Sequence, residues 1–252
     1  MLNNLILLCT AGFCAAFIDS IAGGGGLISV PAYLLAGVPP HLALGTNKFS
    51  SSCASFTSSV KFAKSGKVDF GILKFLGPFT LIGAILGVNT VLSIDASYLN
   101  TIVLILLLFV GIYSLFSKTA GIEDKFEGLT KENKLFGILL AFSLGFYDGF
   151  FGPGTGSFLI FGLIKIFKFD FVRAGGNGRV LNFISNIAAL GMFAIRGQID
   201  YKLGIPVAIF MALGAKFGTK VALDKGAKLM KPIFVTMSLA VAIKMLYGVL
   251  IK

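Results

Sequence analysis

Ten apolar stretches, at 2–21, 26–38, 42–64, 70–92, 98–117, 135–151, 156–167, 173–195, 203–221 and 231–251, occupy most of this 252-residue chain. Several reach or approach the roughly 20 residues that a helix needs to cross a hydrocarbon layer about 30 Å thick. They are too long and too many to share one buried core. With 56% hydrophobic and 13% charged residues and a mean hydropathy of +0.91, the chain lies far outside soluble compositions. The expected fold class is all-α, a polytopic membrane protein. A net charge of +11 does not point to nucleic acid, because Lys and Arg gather at the ends of apolar runs instead of forming one stripe.

Two interruptions organise these runs. Gly23-Gly24-Gly25-Gly26 separates the first from the second, and Gly152-Pro153-Gly154-Thr155-Gly156 separates the sixth from the seventh. Each glycine costs about 1 kcal/mol relative to alanine inside a helix, so four in a row break one. Irregular backbone at membrane depth is tolerated where it lines a site, as in the broken helices of many transporters. The second and seventh segments are short, which favours hairpins meeting at mid-membrane over full spans. Either choice gives the same topology.

The two halves match at a constant shift of 131: Lys48 with Arg179, Asp69 with Asp200, Gly25 with Gly156, Gly66 with Gly197, and Gly83/Gly87 with Gly214/Gly218. We therefore expect two five-segment repeats, 1–117 and 135–252, joined by a polar cytoplasmic linker at 118–134. An odd number of segments per half makes the second enter the bilayer in the opposite sense, an inverted repeat. Alternating segments put Lys61, Lys64, Lys67, the linker lysines, Lys165, Lys168, Arg173, Lys220, Lys225, Lys228 and Lys231 on one side. The other side receives His41, Arg196, Lys202 and Lys252. By the positive-inside rule the basic side is cytoplasmic and both termini are extracytoplasmic, in the cell membrane. The N-terminus lacks a basic n-region and is expected to remain as the first helix.

An anion crossing the bilayer sheds water and needs fixed positive charge and donors at the midplane. Ionisable groups within a membrane are costly and normally face the interior with a task. Lys48 and Arg179 fit that description. Thr46, Asn47, Ser50, Ser51 and Ser52 flank the first, and Asn177, Asn182, Ser185 and Asn186 the second. The competing reading, snorkelling to an interface to meet lipid phosphate, explains a single cation better than a matched pair. Helices starting after Gly24, Gly25 and Gly26, and after Gly154, Thr155 and Gly156, present backbone N–H groups and a positive dipole end to an anion. Thr155 and Ser157 add hydroxyls. Asp19 and Asp148, just before the breaks, are candidates for coupling or gating: they repel the anion, pair with Lys48 or Arg179, or carry a proton. Capping the interrupted backbone is an equally good reading of both.

Other features carry less. The Gly-x-x-x-Gly pairs suit either a homodimer interface or packing within one subunit, and their presence in both halves favours the latter. Cys9, Cys14 and Cys53 show no redox spacing, and no metal ligand cluster or cofactor motif is present. His41 reads as a turn residue; Lys216 and Lys244 also lie in apolar runs, and Lys216 has no counterpart charge at Gly83-Ala84-Ile85.

Four motifs in order resemble the sulfite exporter TauE/SafE family: Gly12–Gly26, Leu44–Ser51, Gly145–Ser157 and Arg179–Asn186. The resemblance spans nearly the whole chain. It implies a permease, not an enzyme, for small sulfur-containing anions such as sulfite, thiosulfate and sulfonates, with that anion and membrane lipids as its partners. Arg179 stands where many relatives carry lysine, which keeps the charge and adds a bidentate fork. The mechanism expected is alternating access around Lys48 and Arg179. The alternatives are a carrier of another small anion or a cation-coupled transporter using Asp19 and Asp148. A thiol redox relay and a membrane hydrolase both lack the residues they need.

Overall fold

A computed structural model describes residues 2–99, 101, 102, 105, 106 and 123–225. Its helices are α1 (Leu2–Ala22), α2 (Gly26–Leu35), α3 (Pro40–Lys64), α4 (Phe70–Leu92), α5 (Lys131–Phe150), α6 (Thr155–Phe167), α7 (Phe171–Ile195) and α8 (Tyr201–Lys225). No strand occurs among the described residues. The segment expected at 231–251, Lys244 and most of that at 98–117 lie outside them.

Four helices, Asn4–Ala22 of α1 with α4, α7 and α8, are long and apolar enough to cross a membrane. At 25 residues, α3 would extend about 38 Å, but its run of Thr, Asn, Lys and Ser lowers its hydropathy. α2 and α6, of 10 and 13 residues, reach only about 15 and 20 Å. The outside of the bundle is apolar, with Leu7, Phe79, Ile82, Leu86, Leu139, Ile187, Ile209 and Phe217 exposed. Its inside holds Lys48, Asp148, Asn177, Arg179 and a set of buried serines. Apolar outside and polar inside is what lipid demands of a polytopic bundle.

Helix starts follow capping more than hydropathy. Asp69 accepts from the Ile72 amide at 3.2 Å to open α4, and Asp200 accepts from the Leu203 amide at 3.2 Å to open α8. The turns before them place Gly66 and Gly197 at φ 71° and 65°. A reciprocal Thr130–Asn133 cap starts α5 at Lys131, ahead of the expected apolar start at 135. The described part of the linker is not a free tether either. The Lys125 amide donates to the Lys168 carbonyl at 2.9 Å, and Phe126 packs on Phe167 and Phe169.

The boundaries of α3 and α7 stand 131 apart at both ends, whereas α1 and α5 begin 129 apart. The two extra residues sit in the second break, where Gly152 and Gly154 both take positive φ (99° and 86°) against Gly23 alone in the first (87°). Contacts recur with the halves exchanged. Gly83 and Gly87 of α4 lie bare against the Phe142 and Phe146 carbonyls of α5. Gly214 and Gly218 of α8 lie likewise against those of Phe13 and Phe17 in α1. Both pairs thus close helix contacts within the chain, and these glycines are not available as the face of a dimer.

Helices α3 and α7 run antiparallel through the centre. Thr46 Oγ1 accepts from the Asp200 amide at 2.9 Å, and Asn177 Oδ1 accepts from the Asp69 amide at 2.9 Å. Apolar clusters close both ends of this pair. Phe62, Leu76, Phe167 and Phe171 gather at the Lys61–Lys67 end, and Leu44, Val88, Phe151 and Phe193 at the other.

Candidate functional site

Between those clusters the two breaks meet. The Ser157 amide donates to the Gly23 carbonyl at 2.8 Å, and Ser157 Oγ donates to the Ala22 carbonyl at 3.1 Å. Gly23 and Gly156 approach so closely that a side chain on either would collide with the other's backbone. This junction carries α1 and α5 to a stop and starts α2 and α6 from the molecular centre.

Both embedded cations reach the junction and are almost fully buried, Lys48 at 3% and Arg179 at 1% exposure. Each takes its carboxylate from the opposite half. Lys48 Nζ sits 2.9 Å from Asp148 Oδ1, and Arg179 Nη1 bonds Asp19 Oδ2. The carboxylates are then held differently. Asp148 also accepts from Ser185 Oγ at 2.6 Å and from Asn182 Nδ2 at 3.5 Å. Asp19 accepts from the Gly25 amide at 2.9 Å, and so caps the interrupted backbone as well as pairing. Lys48 Nζ donates further to Asn186 Oδ1 at 3.0 Å, and Asn186 Nδ2 donates to Ser55 Oγ at 3.3 Å.

A cavity of about 30 Å³ lies at the centre, lined by Asp19, Gly23, Gly26, Asn47, Lys48, Ser51, Asp148, Gly152, Gly154, Gly156, Asn182 and Asn186. That is room for about one water. Asn47 Oδ1, at the cavity, stands without a partner, and so, behind Gly156, do Nε and Nη2 of Arg179. Orphaned guanidinium donors are costly in a low-dielectric interior.

Not every residue expected at the site reaches it. Thr46, Ser50 and Asn177 turn away. Thr46 and Asn177 brace the turns at Asp200 and Asp69, while Ser50 Oγ donates to the Gly204 carbonyl at 3.2 Å and contacts the Tyr33 hydroxyl. The reason is helical phase: a residue two positions from Lys48 or Arg179 lies about 200° around the helix, on the opposite face. Thr155 and Ser157 spend their hydroxyls on the carbonyls of Gly152 and Ala22. Gly24 and Gly25 shape the junction without lining the cavity, and Arg179 lies behind Gly156. Lys216 is exposed, with its carbonyl accepting from Lys61, and His41 meets the Val91 carbonyl far from the centre. Sequence reasoning missed Gly23 and Gly152 as lining residues and Ser55 as a partner. The last was findable, since Ser55 falls two turns from Lys48 on one face.

The model of the family described as Sulfite exporter TauE/SafE matches residues 8–245. The chain belongs to the sulfite exporter TauE/SafE family. A "Probable membrane transporter protein" of Haemophilus influenzae is 39% identical over 98% of this chain and 96% of its own length. "Probable membrane transporter protein ORF9" of Sinorhizobium sp is 37% identical over 96% and 92%, and "Probable membrane transporter protein YfcA" of Escherichia coli K12 is 34% identical over 92% and 86%. No solved structure matches the chain. As a TauE/SafE member with such relatives, the protein is a membrane transporter and not one of a family of enzymes.

What a TauE/SafE transporter of this geometry can do chemically follows from the four charges. Two cations and two carboxylates neutralise one another across the junction, so the buried centre carries no net charge as it stands.

Proposed function

We propose that the protein is a cell-membrane permease for small sulfur-containing oxyanions, sulfite, thiosulfate or an organosulfonate, working by alternating access. In this reading the two halves are inverted repeats, the Lys61–Lys67 end faces the cytoplasm, and both termini are extracytoplasmic. The observation that carries it is the crosswise pairing: Lys48 of the first half with Asp148 of the second, and Arg179 of the second with Asp19 of the first. Asp19 and Asp148 act as internal anions that hold the halves together while the site is closed. A substrate oxyanion displaces Asp19 from Arg179, where Nε and Nη2 already offer free donors. With one cross-pair released, one repeat can tilt on the other and open the site to a single side.

The test is flux into proteoliposomes of sulfite, thiosulfate, sulfate, sulfoacetate and taurine, with and without a pH gradient. We expect uptake of at least one sulfur oxyanion, and background uptake per folded protein in Lys48→Ala and Arg179→Ala. Unchanged flux and binding in both variants would remove the site assignment.

A further inference from the structure

The face of α3 that carries Lys48 continues beyond the central site as a polar stripe, of which Ser55 also bonds the site's Asn186. Ser52, Ser55 and Ser59 follow on that face and are buried at 4%, 2% and 7% exposure. Ser58 lies beside them, its Oγ 2.7 Å from Ser20 Oγ of α1 and 2.9 Å from Thr219 Oγ1 of α8. The Ser59 hydroxyl, deeply buried, has no hydrogen-bond partner. The stripe ends at Phe62, fully buried in the apolar cluster of the Lys61–Lys67 end.

The second half supplies an internal comparison. At the equivalent positions α7 carries Phe183 for Ser52, Ala189 for Ser58 and Leu190 for Ser59, while Gly149 and Val88 replace Ser20 and Thr219. In the second half this packing is achieved with apolar side chains, so cohesion alone does not require the hydroxyls. Only one half has them.

We propose that this stripe is the passage along which the oxyanion moves between the central cavity and the basic end, with Phe62 as the side chain that closes it. The proposal rests on the central-site reading and deepens it. Hydroxyls donate to an anion in place of water yet carry no charge, so each holds it weakly enough to release it to the next. Beyond Phe62, Lys61 and Lys64 raise the local anion concentration at the mouth.

The test replaces Ser59 with the residue its counterpart carries, Ser59→Leu, using labelled thiosulfate in proteoliposomes. We expect thiosulfate affinity to stay within about twofold of wild type and flux to fall at least about tenfold, because a plug in a pathway leaves a separate binding site intact. Unchanged flux overturns the passage, and so does joint loss of affinity and flux, which assigns Ser59 to the fold. Wild-type protein that binds neither sulfite nor thiosulfate sinks the central-site reading instead. The passage then stands or falls on thiol access, in a background without Cys9, Cys14 and Cys53. Ser59→Cys should react with a small anionic methanethiosulfonate while Leu190→Cys does not. An inert Ser59→Cys overturns the proposal.

Discussion

Lys48 and Asp148 illustrate how a buried charge pair is read in lipid. Removing one partner strands the other in a medium that cannot solvate it, which costs more than the pair ever contributed. Lys48→Met should therefore lower stability by about 3–5 kcal/mol, while Lys48→Met combined with Asp148→Asn recovers most of that loss. Denaturation of the four members of the cycle in detergent measures the difference, and additive losses would contradict it. The same residues show how far the sequence reaches at this scale. That Lys48 and Arg179 would lie inside the bundle was legible from their place in apolar runs and their matched spacing. Which carboxylate each would hold was not, because Asp19 and Asp148 precede the breaks and the pairing crosses between halves, spanning 100 residues for Lys48–Asp148 and 160 for Arg179–Asp19. Thr46, Ser50 and Asn177 stand two positions from the cations, and helical phase turns them to the opposite face.

Among the elements, glycine plays two opposite parts. Gly87 and Gly218 sit where backbone meets backbone, against the carbonyls of Phe146 and Phe17, and neither can accept a side chain without moving a helix. Gly218→Val should destabilise by about 1–3 kcal/mol or more, and Gly87→Val by a similar amount if the two contacts are equivalent. Gly191, inside α7, has nothing within 4 Å of the position a Cβ would take. Gly191→Ala should stabilise by up to about 1 kcal/mol through helix propensity alone. Melting temperatures in one detergent check all three, and a destabilised Gly191→Ala would contradict this reading. Element order and the spacing of α3 with α7, and of the starts of α4 and α8, were readable from the 131-residue shift. The change to 129 before the breaks was not, because the two inserted residues, in the Gly152–Gly154 loop, leave no mark on hydropathy.

At the scale of the molecule the remaining question is the sense in which each half is threaded. The turn after α3 packs on the start of α7, and the turn after α7 packs on the start of α3, through Gly176 against Lys67 and Gly45 against Gln198. The first of these ends is the basic one. There Arg173 bonds Asp69 at 2.8 Å and Asp124 at 3.1 Å and stacks over Phe126 and Phe169. The opposite end has Leu42 at the matching position and no such cluster among the described residues. An antiparallel central pair places equivalent turns on opposite membrane faces. Ser65 and Arg196, exposed and equivalent, report on this directly. In a background without Cys9, Cys14 and Cys53, Ser65→Cys should be blocked by a membrane-impermeant maleimide only in inside-out vesicles. Arg196→Cys should be blocked only in right-side-out cells. Positive-inside bias predicts which face is which, and opposite labelling is what the proposed inverted repeat predicts. Labelling of both from one side would mean that the halves run in the same sense, and a shared pocket fed by one cation from each would then have to be abandoned.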